Sequence, residues 1–544
     1  MGDTVTFTPP GPGAWELEAG HHGRRPLSPY IAETYVRGFE EGSRELTARY
    51  GLPLERIRGE LVEGCTYVRP VGVGEGDKPG PALPNFVMKV LARVHPELRR
   101  RNRTAQRAFE TKQWRRDVDQ WFDVDREQVV TANLGFQSVA LGALDDPALV
   151  EHLADVLAHF EKQAYANIAN HGGDLIPIGD YLAHCARWGI TFADASALLQ
   201  GSSPASTITA ELLAPAAAAI AAAVEPPSSM DAVRALSPEA RDAVDAWCER
   251  HAWRVVTTDD VDRPTLAERP NAQFAALLAA AVNTSRREPP DPSEVRVRVP
   301  ESERPLFDEL LIEARYGLRQ RDDVVGTRWN WSSGLVRRAL LEAGRRLADR
   351  SLVAKVDHVV ECTPDELASL LADGHGPNAT ELAARAERRD VVQAAGAPDL
   401  LGDPEPPPPL AALPKPMARA TEAILTCLEA DLADANHDAL QGTGIGTESY
   451  IGRARIANDV DDAIERLEPG DVLIAPFTGP AYNSLFPMLG ALVVEYGGAM
   501  CHAAIVAREF GLPAIIGAGG ATTKIADGAQ VEVDPVAGVV RVLT

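Results

Sequence analysis

The chain is poor in cysteine, in long apolar runs and in positive charge. Its six cysteines (Cys65, Cys185, Cys248, Cys362, Cys427 and Cys501) are scattered, with no CxxC pair. That pattern argues against a disulfide framework or a zinc site and fits reduced thiols in a cytoplasmic protein. The longest nearly apolar run, residues 212–224, is Ala-rich and interrupted by Pro215. It is too short to span a bilayer, which takes about 20 residues. The first residues lack a basic segment followed by an apolar core, so no secretory signal is expected. Lys and Arg number 54 against 78 Asp and Glu, a formal net charge of −24. A polyanion repels phosphate backbones and anionic lipid, so neither nucleic acid nor membrane is an expected partner. Sparse basic clusters can still hold one phosphate.

What is present is ordinary globular material. The chain has 544 residues, 45% hydrophobic and 24% charged, which excludes wholesale disorder and suggests two to four domains. Residues 398–416 (PDLLGDPEPPPPLAALPKP) carry a four-proline run that favours extended polyproline II. We therefore place a semi-rigid linker at 396–416, between residues 1–395 and residues 417–544.

The larger part reads as helical. Residues 97–122, 147–170, 204–224, 238–253 and 335–350 repeat apolar side chains every three to four positions. Thr363 begins another helix as N-cap, with Pro364 at N1 and Glu366 at N3. Residues 66–88 look irregular, with several Gly and Pro. The smaller part changes character. Short β-branched runs at 452–457, 471–475, 491–495, 514–516, 530–533 and 539–543 alternate with helical stretches at 459–467, 480–489 and 502–510. The expected class is therefore multidomain α + α/β: a large mostly helical domain followed by a small α/β domain.

Residues 492–517 are the most informative. A buried strand runs into Gly497-Gly498, which permit a sharp turn. A helix begins near His502, Gly511 ends it and Pro513 follows. His502 thus sits on the first helical turn, where unpaired amides and the positive dipole end favour an anion. An imidazole nitrogen there can attack a phosphoryl group, splitting one transfer into two. The plainer reading is a His that caps or packs at a helix start.

The segment GGAMCHAAIVAREFGLPAIIG resembles the phosphohistidine signature of the phosphoenolpyruvate-utilising enzymes, through Gly497, Gly498, His502, Ala504, Ala507, Arg508, Glu509, Gly511, Pro513 and Gly517. Residues 469–473, Thr478-Gly-Pro480, Asp527-Gly528, Asp534 and Gly538 fit the same family's swivelling domain, so the likeness covers roughly 440–544. Met500 stands where many members carry Thr. More degenerate matches at 26–30, 64–69, 191–202, 251–254, 264–270, 342–347 and 357–366 resemble the substrate domain of the rifampin phosphotransferase and phenylphosphate synthase branch.

The resemblance implies that His502 is the phosphohistidine nucleophile. Gly498, Cys501 and Arg508 become candidates for holding phosphate, and the acceptor a small alcoholic or phenolic hydroxyl. Family members that use ATP carry an ATP-grasp domain. No such text precedes the substrate-like region, and residues 517–524 lack the GxxxxGK[ST] spacing. ATP and magnesium are therefore expected on a separate ATP-grasp subunit, with no metal site on this chain.

Candidate acceptor-site residues are His251, Arg254, Arg315, Arg319 and Trp329. Arg315 and Arg319, four apart on a helix, can clamp a phosphoryl group or form a salt-bridged face. Trp329 and Trp331, in an expected turn, line an aromatic pocket or belong to the core. His152, His159, His171 and His184 are weaker proton acceptors. His21-His22 and Asp459 to Asp462 are read as a surface pair and a helix start. Two other functions stay open: a binding or regulatory protein with a relic phosphohistidine domain, and a lone enzyme using a small phosphodonor.

Overall fold

A computed structural model of the chain describes residues 5–18, 25–76, 85–203, 205–255, 260–282, 290–404, 409–431, 440–458, 460–479, 482 and 485–543. The chain divides into two compact units, each discontinuous in sequence. The first comprises residues 1–172, 253–264 and 324–421; the second, 173–252, 265–323 and 422–544. The division differs from the expected boundaries. It falls inside the Lys415–Asp431 helix, and two helical stretches from mid-chain belong with the C-terminal residues.

The first unit is helical around one small antiparallel sheet, in the order β2 (Leu54–Val62), β3 (Cys65–Gly72), β1 (Trp15–Leu17), β4 (Leu400–Leu401). Two expectations change here. Residues 66–72 are a strand: Glu63 and Gly64, both at positive φ, make the tight turn of a two-residue hairpin. A Glu-Gly pair lacks the Asn-Gly or Asp-Gly signature, so this hairpin escaped notice. Within the supposed linker, Leu400 and Leu401 pair with Glu16 and Trp15; residues 405–408, which hold most of the proline run, lie outside the described residues. The Pro29–Tyr50, Asp146–Asn170 and Trp331–Asp349 helices enclose a core that includes Tyr35, Phe160, Trp329 and Leu335. The Thr363 cap forms as expected: Glu366 N donates to Thr363 Oγ1 at 3.3 Å, and Thr363 N to Glu366 Oε2 at 2.9 Å.

The second unit carries a seven-stranded sheet. Its order is β11 (Val539–Leu543), β10 (Gln530–Asp534), β6 (Tyr450–Ile456), β7 (Val472–Ala475), β8 (Ala491–Val494), β9 (Ala514–Ile516), β5 (Thr443–Ile445). Strands β6 to β9 run parallel, and every residue of β7, β8 and β9 is buried, as expected of strands covered on both faces. The sheet curls until its two edges meet. Gln441, just before β5, bridges Val539 of β11, and Gly442 N donates to the Gly538 carbonyl at 2.9 Å.

Six of the strands match the sequence reading to within one or two residues; β5 was missed because three residues carry no period. The helix expected at 480–489 is not seen in its described part, which holds only a 3-10 turn, Phe486–Met488. Around the sheet stand the mid-chain helices, among them Gly172–Arg187, Phe192–Ala197, Pro238–His251 and Arg304–Val324. Gly179 lets the first of these lie directly on the Lys415–Asp431 helix: a Cβ there would stand 1.7 Å from the Ala423 carbonyl oxygen. No helix among the described residues is long and apolar enough to cross a membrane.

Candidate active site

The site forms where β8 hands the chain to the His502–Phe510 helix. Gly497 takes φ 118°, and a Cβ there would meet the Cys501 sulfur at 2.8 Å, so the turn needs glycine. Met500 N donates to the Ala430 carbonyl at 3.2 Å, and Cys501 N to the Gly498 carbonyl at 3.1 Å. The turn is thereby pinned to the end of the Lys415–Asp431 helix. Met500 is buried, so the position that often bears a hydroxyl is filled here by packing.

Cys501 is the N-cap, extended, and its thiol makes no cap bond. The first-turn amides are therefore left without a side-chain acceptor from the cap, an arrangement that suits an anion. His502 occupies the first helical position and is half-buried. Its imidazole pKa is lowered, chiefly by burial; the charge of Asp322 and a hydrogen bond with the Gly479 backbone oppose this without overcoming it. Burial thus favours the neutral ring, the form in which an imidazole nitrogen can act as a nucleophile.

Thr478 Oγ1, in the residue before Gly479, finds no hydrogen-bond partner among the described residues, and neither does Ser202 Oγ. Thr478 is buried, and an unsatisfied buried hydroxyl is costly. Sequence reading noted Thr478 only as part of a likeness; its orphaned hydroxyl becomes visible in three dimensions.

The residues 196–203 grip the same helix. Arg508 donates to Ser196 Oγ at 2.8 Å and to the Ala499 carbonyl at 2.5 Å. Gln200 donates to the Arg508 carbonyl, and Gly201 N to Glu509 Oε1 at 2.8 Å. Arg508 is buried, and burial brings its guanidinium down to about 10. As found, both terminal nitrogens of its guanidinium bond to protein groups and brace the turn.

The acceptor candidates are dispersed. Arg315 spends its guanidinium on the carbonyls of Leu198 (2.8 Å) and Pro290 (3.1 Å), so it supports a loop and forms no clamp with Arg319. Arg319 lies over the Tyr316 ring at 5.0 Å. His251 stacks on Trp247 at 5.2 Å, its Nδ1 2.9 Å from the Trp247 carbonyl. Arg254 and Trp329 fall in the first unit. Arg254 sits 5.6 Å over Trp331, and Trp329 is wholly buried against Tyr35 at 5.3 Å, in a helical turn, Val325–Asn330. Trp329 is core and presents no face to an acceptor.

Among the histidines, His159 is buried against Asn133 Oδ1 at 2.7 Å, and His184 contacts its own helix through the Asp180 carbonyl at 2.8 Å. His152 meets Phe136 edge-on at 6.0 Å, and His171 caps its helix. His21, His22 and Asp459 lie outside the described residues; Asp462 pairs with Arg466 at 2.8 Å.

The strand, the glycine turn and the helix that opens on His502 are the local frame of the site within the α/β sheet unit. Residues 467–538 match the family described as PEP-utilising enzyme, mobile domain. That match and the relatives that follow support the phosphoenolpyruvate-utilising family, on its rifampicin phosphotransferase branch. It is 27% identical to a rifampicin phosphotransferase of Streptomyces sviceus over 328 residues, 56% of this chain and 35% of that protein. A Bacillus cereus rifampicin phosphotransferase is 41% identical over 106 residues (20% of this chain, 12% of that protein). A phosphoenolpyruvate synthase of Aeropyrum pernix is 46% identical over 89 residues (16% and 11%). The chain spans about a third of the length of the curated relatives it matches over the longer stretch.

Proposed function

We propose that the chain is the carrier and acceptor component of a phosphotransferase. His502 takes a phosphoryl group from a donor and passes it to a small organic hydroxyl. The observation that carries this reading is the half-buried imidazole of His502, which burial favours in its neutral form, at the uncapped start of a helix, with the orphaned Thr478 hydroxyl next to its Gly479 contact. In the loaded state the phosphoryl oxygens lie against the helix amides and Thr478. Phosphoryl transfer depends mainly on such positioning and charge stabilisation.

The donor, in this reading, is ATP with magnesium on a separate ATP-grasp subunit. Support for phosphoryl-transfer chemistry comes from the rifampicin phosphotransferases and the phosphoenolpyruvate synthase to which the chain is similar. The names of those relatives favour a phosphotransferase over a binding protein.

Incubating the chain with the cognate subunit and labelled ATP tests the reading. Acid-labile, base-stable label on His502, absent from His502→Ala, is the expected result. No label on His502 from that donor or from phosphoramidate would favour a relic domain. Turnover by the chain alone with a small phosphodonor would remove the need for the subunit.

A further inference from the structure

Arg508 is a buried cation that no carboxylate pairs with among the described residues; its Nη1 bonds the Ala499 carbonyl at 2.5 Å and its Nη2 bonds Ser196 Oγ at 2.8 Å. Burying a charge against neutral acceptors alone is costly, and an apolar side chain would fill the same space more cheaply. That cost points to a task beyond packing.

The backbone shows the task. A peptide group is planar, so a carbonyl and the next N–H turn together. The Ala499–Met500 peptide is held at both ends: Arg508 donates to its carbonyl, and Met500 N donates to the Ala430 carbonyl at 3.2 Å. Cys501 N then donates to the Gly498 carbonyl at 3.1 Å, and the Cys501 carbonyl accepts from Ile505 N at 3.0 Å. His502 follows directly. Among these bonds only that from Arg508 is made by a side chain. Ser196, buried and donating its own Oγ to the Ala193 carbonyl at 3.2 Å, holds the guanidinium, while Gln200 donates to the Arg508 carbonyl. We propose that Ser196 and Arg508 are a positioning pair: Ser196 aims the guanidinium, and the guanidinium fixes the Ala499–Met500 peptide, so that the first-turn amides and the His502 imidazole are preset for the incoming phosphoryl group. Neither is a catalytic residue; both act through the turn. A misplacement of about 1 Å, made far from the bond that changes, can cost about 100-fold in rate. The role rests on His502 being the carrier.

Loading of the full chain by phosphoramidate, followed by ³¹P NMR, tests the pair. In this step a His502 nitrogen bonds phosphorus as the bond to ammonia breaks, and ammonia leaves with that electron pair. Initial rates are taken against phosphoramidate concentration, at a temperature where circular dichroism shows every variant folded. Arg508→Met should lower the saturated rate by roughly 10- to 100-fold and leave the half-saturating concentration within about twofold of wild type. Arg508→Lys, which keeps one donor, should recover part of the rate. Ser196→Ala should slow loading by about three- to tenfold, and the Ser196→Ala, Arg508→Met double variant should be no slower than Arg508→Met, because Ser196 acts only through Arg508. Wild-type rates in both Arg508 variants overturn the positioning role and leave the carrier standing. A raised half-saturation with an unchanged saturated rate makes Arg508 a phosphate holder and overturns the role equally. Losses that multiply in the double variant overturn the relay from Ser196. Failure of the wild type to acquire label on His502 overturns carrier and pair together. Should Arg508→Met unfold, Ser196→Ala and Arg508→Lys decide: wild-type loading by both counts against the pair.

Discussion

Arg508 Nη2 and Ser196 Oγ, 312 positions apart in sequence, meet at 2.8 Å. Through this bond the helix that begins with His502 is fastened at its far end to the Phe192–Ala197 helix. Arg508→Met should remove the charge and the brace together. The Ala499 carbonyl would lose its donor, and the expected loss is about 2–3 kcal/mol. Thermal unfolding measures it, and faster amide exchange across residues 499–502 locates it. A double-mutant cycle with Ser196→Ala should show a coupling of about 1 kcal/mol; additive losses would mean the bond contributes nothing.

Thr478→Val keeps the shape and deletes an unsatisfied buried hydroxyl. Stability should stay level or rise slightly, since an orphaned polar group is costly. Loading of His502 by phosphoramidate should nevertheless slow by roughly 10- to 100-fold, if the hydroxyl receives a phosphoryl oxygen. A stable variant that loads at the wild-type rate assigns Thr478 to packing alone.

Gly179→Ala places a methyl group 1.7 Å from the Ala423 carbonyl oxygen. Backbone cannot swing aside as a flexible side chain can, so the Gly172–Arg187 and Lys415–Asp431 helices must separate. The expected cost is about 3 kcal/mol or more. Chemical denaturation should show it, whereas Gly142→Ala, with nothing within 4 Å of its Cβ, should change stability by less than about 1 kcal/mol.

His159 supplies a pH test of the first unit. Burial lowers its pKa to about 4 from an ordinary 6.5. The native state therefore binds fewer protons than the unfolded chain between those values. Its contribution is fully present above pH 6.5 and is lost as pH falls toward 4, by about 3 kcal/mol. His159→Gln removes that titration, so the difference in unfolding free energy between wild type and variant should narrow as pH falls. A difference constant from pH 7 to pH 4 would contradict the shift.

The C-terminal sheet was legible because β7, β8 and β9 are short, fully buried apolar runs separated by glycine turns. The His502 helix was legible to the residue, since Gly511 and Pro513 punctuate its end and the glycine pair its start. Unit boundaries were not legible. Local periodicity reports that a helix has an apolar face but not which element covers it, and the partner of Ser196 lies 312 positions away. Arg315 illustrates the same limit. Spacing placed it one turn from Arg319, yet its donors go to the backbone of Leu198 and Pro290.

The interleaved order of the second unit has a bearing on how the chain is made. The Gly172–Arg187 and Phe192–Ala197 helices leave the ribosome long before the Lys415–Asp431 and His502–Phe510 helices they hold. Until those helices emerge, Gly179 lacks Ala423 and Ser196 lacks Arg508, and the apolar surface around them is open to aggregation or to chaperones. A nascent chain arrested before residue 422 should therefore be protease-sensitive across 173–252, while the first 172 residues can already collapse onto one another.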